Sequence, residues 1–166
     1  MLSWKSISNS LRLRRKFTWN ISLAFFVLRF GLNFRDKHMN IKRFEDLEIW
    51  QEARKLCKIV YEITSTGSFS IDFKFRDQMR ASAGSAMDNI AEGFDRGGNK
   101  EFYQFLSISR GSTGEVRSQS YRAFDFKYII DEKLSEMLER TDSLSRKTYN
   151  LMQHLKSYDI KGLKYS

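Results

Sequence analysis

Hydrophobic residues recur at spacings of three and four from residue 44 to residue 158, and this spacing predicts four amphipathic helices. The first runs from Phe44 to the break at Thr66-Gly67-Ser68, and its inward positions are Ile49, Ala53, Leu56, Val60 and Ile63, flanked by Trp50 and Cys57. Asp72 is expected to cap the second helix, and Gly97-Gly98 to end it. The apolar positions of this second helix are Phe75, Met79, Ala83, Ala86, Ile90 and Phe94.

Two further helices follow. Asn99 is expected to cap the third, which extends to about Tyr128 with Phe102, Phe105, Ser109, Val116, Ala123 and Phe124 facing inward. Asp131 opens the fourth, whose inward positions are Met137, Thr141, Leu144, Thr148, Leu151, Leu155 and Tyr158. Short connections force neighbouring helices to run antiparallel. The sequence therefore predicts an all-α fold, an up-down-up-down four-helix bundle.

Composition supports helices, because the chain contains no proline. The net charge of +9 suggests a nucleic-acid partner, but its distribution changes that interpretation. Residues 1–38 contain eight lysine or arginine residues and one acidic residue, whereas residues 39–166 contain 21 basic and 19 acidic residues. Any phosphate contact in the predicted bundle must therefore depend on where individual charges lie.

Residues 1–38 form a basic and aromatic extension that is separate from the predicted bundle domain at residues 39–166. Its apolar run from Ile21 to Phe30 contains Arg29 and no small-residue cleavage site follows. The segment is an interfacial anchor, a cryptic targeting peptide, or sequence upstream of the true start. We favour a start at Met39, which directly precedes the first helical pattern. A chain that begins at Met39 is then expected to fold with the same helicity and oligomeric state.

The third predicted helix carries a set of arginine and tyrosine residues on one side, beside its apolar face. This arginine–tyrosine stripe consists of Tyr103, Arg110, Arg117, Tyr121 and Tyr128. It contains no carboxylate. Guanidinium groups pair with phosphates and tyrosine rings stack on unpaired bases, so the stripe suits single-stranded RNA. The alternative is packing against another helix or subunit, because tyrosine and arginine are also enriched at protein interfaces.

Asn89 and Glu92 lie three residues apart next to the buried face of the second helix, and Gly93 follows. A carboxylate there requires a partner, for which Arg80, Arg110 or a backbone amide is expected. We interpret this group as a structural polar motif and not as acid–base machinery.

The segment from Gly93 to Lys100 comes close to a phosphate-binding loop, but a helix precedes it and Asn99 interrupts the motif. The exposed start of the third helix remains a candidate anion site, with Arg96 and Lys100 as its cations.

One cysteine and two histidines (Cys57, His38 and His154) offer little for metal binding or nucleophilic catalysis. No catalytic residues, cofactor or metal ligands are predicted, no small-molecule substrate is evident, and neither a membrane nor an enzymatic role is expected. This composition is typical of a cytoplasmic protein.

Several segments resemble the four-helix bundle proteins of the ribosomal-RNA intervening-sequence type. The resemblance covers residues 40–158. It rests on Phe44-Glu45-Asp46-Leu47-Glu48-Ile49-Trp50, Gln78-Met79-Arg80-Ala81, Ser85, Asn89-Ile90-Ala91-Glu92-Gly93-Phe94, Phe102, Phe105-Leu106, Gly111-Ser112 and Glu115. The chain departs from the family where Ser70 follows Phe69, since the family has Phe-Pro there.

This resemblance implies a non-enzymatic protein. A more distant family, the accessory variability determinants of diversity-generating retroelements, forms homopentamers that bind nucleic acid and a reverse transcriptase. The resemblance therefore implies a homo-oligomer, a pentamer if it follows that family, with RNA or a nucleoprotein as its partner. The alternative is an oligomeric protein–protein interaction module that binds no nucleic acid. Trp50, Phe94, Tyr103 and Tyr121 are expected to supply the aromatic surface for self-association.

Overall fold

The computed structural model describes residues 41–160, with side chains as far as residue 156. The extension at residues 1–38, the start at Met39 and the inward position Tyr158 lie outside these described parts. Four α-helices form the described chain: α1 (Glu48–Thr64), α2 (Phe73–Asp95), α3 (Asn99–Asp125) and α4 (Asp131–Ile160). Short 3-10 helices at Phe44–Asp46 and Gly67–Ile71 precede α1 and α2. The predicted all-α fold is confirmed.

Hydrogen bonds between α2 and α3 show that these helices run in opposite directions. Ser82, near the middle of α2, accepts a bond from Gln119 near the end of α3. Ala86, one turn further along α2, accepts a bond from Ser109. Residue numbers increase along α2 while those of the bonded partners on α3 decrease, so the two helices form an antiparallel hairpin.

The core contains most of the apolar positions that the periodicity predicts. Those that are buried are Ile49, Ala53, Leu56, Val60, Phe75, Met79, Ala83, Ala86, Ile90, Phe102, Val116, Ala123, Met137, Leu144 and Leu155. Ser109, Thr141 and Thr148 are buried with them, as expected. At the end of α4 the prediction is off by one residue, since Met152 is buried whereas Leu151 is half-buried against the core.

The start of α2 is as predicted, because Asp72 Oδ1 accepts a hydrogen bond from the backbone amide of Phe75 at 3.2 Å. The predicted start of the first helix is four residues early. Phe44 begins a 3-10 turn and α1 itself begins at Glu48. Its C-terminus comes at Thr64, and Gly67 (φ 57°) then turns the chain in the left-handed region.

Two predicted boundaries of α3 are wrong. Gly98 occupies the N-cap position, so Asn99 is the first helical residue and its side chain makes no capping bond. At the other end α3 stops at Asp125, three residues before Tyr128. Lys127 adopts φ 60° and its amide bonds to the carbonyl of Phe124, which ends the helix in a tight turn.

α2 and α3 approach each other closely at Gly93. A Cβ atom at this position would lie 2.5 Å from Phe105 Cβ and 3.1 Å from a ring carbon of Phe102. The absence of a side chain therefore lets the two helices pack together at this end of the hairpin. Phe105, predicted to face inward, is half-buried here against α2.

Candidate nucleic-acid interface

Arg110 lies on the outer edge of α3 where it meets α4. Its guanidinium group stacks over the ring of Tyr149, 4.9 Å from the ring centroid, and its Nε donates to Ser145 Oγ at 3.2 Å. Arg110 and Tyr149 are both exposed. The edge therefore presents a cation beside an aromatic ring, the pair of groups that can bind a phosphate and stack with a base.

Arg117 lies two turns further along the same edge but is half-buried. Its Nη1 donates to the backbone carbonyl of Leu138 at 2.7 Å and lies 3.4 Å from Thr141 Oγ1. Leu138 precedes Ser145 on α4 while Arg117 follows Arg110 on α3, so these two helices are also antiparallel. Arg117 thus joins the helices and at the same time keeps its positive charge at the edge.

The three tyrosines of the stripe are in different surroundings. Tyr121 is 46% exposed and stays at the α3–α4 edge, while Tyr103 is half-buried against the core. Tyr128 lies beyond the end of α3, where its ring stacks on Phe69 with centroids 4.7 Å apart. Its hydroxyl donates to Asp72 Oδ2 at 3.1 Å, and burial followed by this bond raises the pKa of the phenol. The structure therefore brings together Arg110, Arg117 and Tyr121, and separates Tyr128 from them.

Tyr149 belongs to this edge although the sequence reasoning did not include it. The prediction considered α3 alone. Leu138, Ser145 and Tyr149 are spaced by seven and four residues, so they share one face of α4. Projecting both helices and pairing them antiparallel would have placed Tyr149 opposite Arg110.

All three arginines of α3 bond to neutral oxygen atoms. Arg110 bonds to a serine hydroxyl, Arg117 to a backbone carbonyl, and Arg122 Nη2 to Gln78 Oε1 at 2.8 Å. By contrast, Glu136 on α4 accepts bonds from both Lys133 and Arg140, which lower its pKa. Among the side chains that the structure describes, no carboxylate is bonded to any of these three arginines.

This local charge stands out because the bundle has no net charge. Residues 41–160 contain 19 lysine or arginine residues and 19 aspartate or glutamate residues. Residues 41–160 as a whole therefore exert no general attraction on polyanions, and any such attraction must come from the positions of individual charges such as Arg110 and Arg117.

The candidate anion site at the start of α3 is already occupied by groups of the chain itself. Arg96 forms an ion pair with Glu92 and stacks over the ring of Phe105. The carboxylate of Glu101 folds back over Gly98, where it would collide with any Cβ atom. A carboxylate at a helix N-terminus satisfies the dipole there. Lys100 is exposed, but Arg96 and the helix terminus both face acidic partners.

The polar motif on α2 is arranged locally. Asn89 Nδ2 donates to the carbonyl of Ser85 at 2.7 Å and to its hydroxyl at 3.1 Å. Glu92 is exposed and pairs with Arg96 one turn later, instead of with Arg80 or Arg110. Gly93 acts through the helix contact described above. The three residues therefore do not form one network.

The remaining candidates for chemistry lie elsewhere in the fold. Cys57 Sγ donates to the carbonyl of Ala83 at 2.9 Å, and burial raises the pKa of the thiol to about 11. In the described part of the chain, no group of three histidine, cysteine or acidic side chains is placed to hold a metal. None of the helices within residues 41–160 is long and apolar enough to cross a bilayer.

Comparison with known proteins confirms the resemblance to the intervening-sequence family. No curated protein sequence matches the chain. The model of one protein family, described as 23S rRNA-intervening sequence protein, matches residues 45–150, which include all of α1, α2 and α3 and most of α4. This match covers well over half of the chain, and the chain therefore belongs to the 23S rRNA-intervening sequence protein family.

Proposed function

We propose that this protein is a non-enzymatic, self-associating helical scaffold of the cytoplasm that binds RNA or a nucleoprotein through the α3–α4 edge. The observation that carries the proposal is the pair Arg110 and Arg117 on α3, which bond to neutral oxygen atoms of α4 and keep their charge. The family name, which refers to 23S rRNA, is consistent with an RNA partner.

The α3–α4 edge offers both contacts that single-stranded RNA needs. Arg110 is exposed, and within the described residues it donates a hydrogen bond through its Nε alone, so its other donors remain for a phosphate. Tyr149 and Tyr121 are exposed rings on which unpaired bases can stack. The absence of net charge on the bundle means that binding is local and modest, with few phosphate contacts.

Self-association is supported by exposed apolar side chains at the end of the bundle that carries the α1–α2 and α3–α4 connections. The side chains of Ile71, Phe73, Phe126 and Ile130 are all more than half exposed. Contiguous exposed apolar groups usually mark interfaces. Trp50, Phe94 and Tyr103 contribute less than expected, since each is half-buried within its own chain. Light scattering that reports a monomer at micromolar concentration would contradict self-association.

The decisive experiment reverses two charges on the α3–α4 edge. We expect Arg110→Glu with Arg117→Glu to lower the affinity for single-stranded RNA about 100-fold, or about 2.7 kcal/mol, because two attractions become two repulsions. The matched control is Arg43→Glu with Lys55→Glu. These two residues bind Glu45 and Glu52 on the exposed side of the bundle, and the change in net charge is identical.

Three readings separate the outcomes of this double substitution: RNA affinity, oligomer mass and thermal unfolding. Loss of RNA binding with unchanged mass supports the proposal. Equal losses in the variant and its control would show a general charge effect and contradict it. Because Arg117 also bonds to α4, the single substitution Arg110→Glu is measured alongside and should retain wild-type stability.

A protein-only scaffold is the second candidate, and the exposed apolar end of the bundle favours it. Dissociation of the oligomer by Arg110→Glu with Arg117→Glu would support this candidate, since unpaired carboxylates would then be buried at a subunit contact. The salt dependence distinguishes the two: RNA affinity falls steeply with rising salt, whereas a purely protein contact need not weaken.

A further inference from the structure

A polar cleft of about 510 Å³ lies between α2 and α3, on the opposite edge of α3 from the arginine–tyrosine stripe. Its size falls within the range of small-ligand pockets, about 300–1,000 Å³. The walls are formed by the two helices, and the groups that matter below are Gln78 and Ser82 on α2 and Glu115, Gln119 and Arg122 on α3. Neither the proposed function nor the sequence motifs account for it.

Two buried polar atoms of the cleft residues have no hydrogen-bond partner within the described residues. Gln119 is 7% exposed; its Nε2 donates to Ser82 Oγ at 3.0 Å, while its Oε1 accepts no bond. Arg122 Nη2 donates to Gln78, while its Nε has no acceptor. Buried polar groups are normally paired, so the cleft has one donor and one acceptor in excess.

The charged groups at the cleft are also only partly used. Glu115 is exposed, and its Oε2 accepts one bond from Ser82 Oγ at 3.0 Å, which leaves its other oxygen available. Arg122 has further guanidinium donors beside the one that contacts Gln78. The cleft thus combines one carboxylate and one guanidinium group, and its charge is balanced.

This balance restricts the ligand. A phosphate or another strongly charged group would meet Glu115, and an apolar ligand would leave the buried amide unpaired. A planar group that carries hydrogen-bond donors at one end and acceptors at the other can pair with both the carboxylate of Glu115 and the guanidinium group of Arg122. Guanine has this arrangement: N1–H and N2–H donate to a carboxylate, while O6 and N7 accept from arginine, the commonest specific contact to that base.

We propose that the α2–α3 cleft binds a guanine base, held by Glu115 through its N–H groups and by Arg122 through O6 and N7, with Gln119 as an additional acceptor. Glu115 and Arg122 lie two turns apart on one face of α3, about 10 Å along the axis, so the base fits between them. A guanine in RNA and a free guanine nucleotide offer the same groups to the cleft. The choice of RNA as the source of the base therefore rests on the proposed function.

The test uses the full-length protein and fluorescence anisotropy with short labelled oligouridine RNAs. One RNA contains uridine alone, and the others carry a single central guanosine, inosine or adenosine. We expect guanosine to raise the affinity about tenfold over uridine alone, and inosine, which lacks the N2 amino group, to raise it less. Adenosine should give no increase, because it has an amino donor in place of O6 and an acceptor in place of N1–H.

Glu115→Gln and Arg122→Gln should each remove the guanosine preference and leave the affinity for oligouridine unchanged. Glu139→Gln, the same chemical change at an exposed position of α4, is the control for Glu115 and should keep the preference. Circular dichroism verifies that each variant is folded. A guanosine preference that survives in both cleft variants overturns the proposal.

The results also separate this inference from the proposed function. Equal binding of all four RNAs overturns the guanine site and leaves RNA binding intact. Calorimetric binding of guanosine monophosphate without binding of any RNA supports the cleft and overturns the proposed function. Binding of neither overturns both. Arg110→Glu with Arg117→Glu should weaken all four RNAs equally, and it should therefore preserve the ratio between guanosine and uridine.

Discussion

The two edges of α3 show how one helix is used in two ways. On the edge that faces α2, the closest contacts are made by small residues: the hydroxyl groups of Ser85 and Ser112 lie 2.9 Å apart, and Gly93 allows close approach, while Glu115 and Arg122 lie beside the cleft. On the edge that faces α4, long arginines span the gap and aromatic rings remain exposed. The small residues fix the distance between two helices, whereas the long residues leave a surface with charge and rings.

The largest effect on stability should come from closing the gap at Gly93. Gly93→Ala places a methyl group against Phe105 Cβ, an atom that cannot move without its backbone. Overpacking of about 1–3 kcal/mol outweighs the gain of up to about 1 kcal/mol from helix propensity. We expect a net loss of about 1–2 kcal/mol in the free energy of unfolding, measured by urea denaturation.

Gly114→Ala is the matched control on the other edge. Nothing lies within 4 Å of a Cβ atom at Gly114, so only the helix propensity changes. This variant should therefore be more stable than the wild type by up to about 1 kcal/mol. Similar destabilisation of both variants would mean that the α3–α4 edge is packed as closely as the α2–α3 edge.

The substitution Tyr149→Ala removes an exposed ring from the α3–α4 edge. It should weaken RNA binding about tenfold, equivalent to about 1.4 kcal/mol, because one base loses its stacking partner. Tyr61→Ala provides the control. Tyr61 is also exposed and has the guanidinium group of Arg80 4.5 Å from its ring centroid, but it lies on α1, away from the proposed surface. If both substitutions weaken binding equally, the α3–α4 edge has no special role.

Serine hydroxyls on the two edges should differ in their contribution to stability. Ser109 is fully buried and its Oγ donates to the carbonyl of Ala86 at 2.6 Å, so Ser109→Ala is expected to cost about 1 kcal/mol. Ser145 contacts the exposed Arg110, and Ser145→Ala should change the unfolding free energy by only a few tenths of a kcal/mol. Thermal denaturation of the two variants measures the difference, and equal losses would contradict the comparison.

The smallest effect concerns the paired carboxylate on α4. The bonds from Lys133 and Arg140 lower the pKa of Glu136 in the folded protein. Its contribution to the free energy of unfolding is therefore fully present above the unfolded pKa of about 4.3, and it is lost as the pH falls through the lower folded pKa. Glu136→Gln should therefore cost a few tenths of a kcal/mol at neutral pH, since the group is partly exposed. The cost should vanish in acid, where the wild-type carboxyl is also protonated. A cost that is independent of pH would assign it to packing.

Periodicity predicted the four helices and most of the core because burial of apolar side chains decides both. It failed at places where local chemistry or a distant contact decides. Asn99 has the side chain of a cap, but Gly98 takes that position with Glu101 folded over it. Tyr128 continues the helical pattern, yet its ring packs on Phe69, and the chain leaves the helix before it.

The candidate surface was predicted in part. Arg110, Arg117 and Tyr121 lie along one edge as their spacing indicates, because that spacing is a property of a single helix. Tyr149 was missed because it comes from a different helix. Gln119, the buried amide of the cleft, was also missed, since a polar residue on a helix normally indicates the solvent-facing side.

The bond between Tyr128 and Asp72 joins residues that are 56 positions apart in the chain. All of α2 and α3 lies between them, so closing this loop costs less entropy once the α2–α3 hairpin has brought its ends together. We therefore expect Tyr128→Phe to accelerate unfolding while leaving the folding rate nearly unchanged, since a contact made late is absent from the transition state. The tyrosine that the sequence placed on a binding surface is instead expected to lengthen the lifetime of the native state.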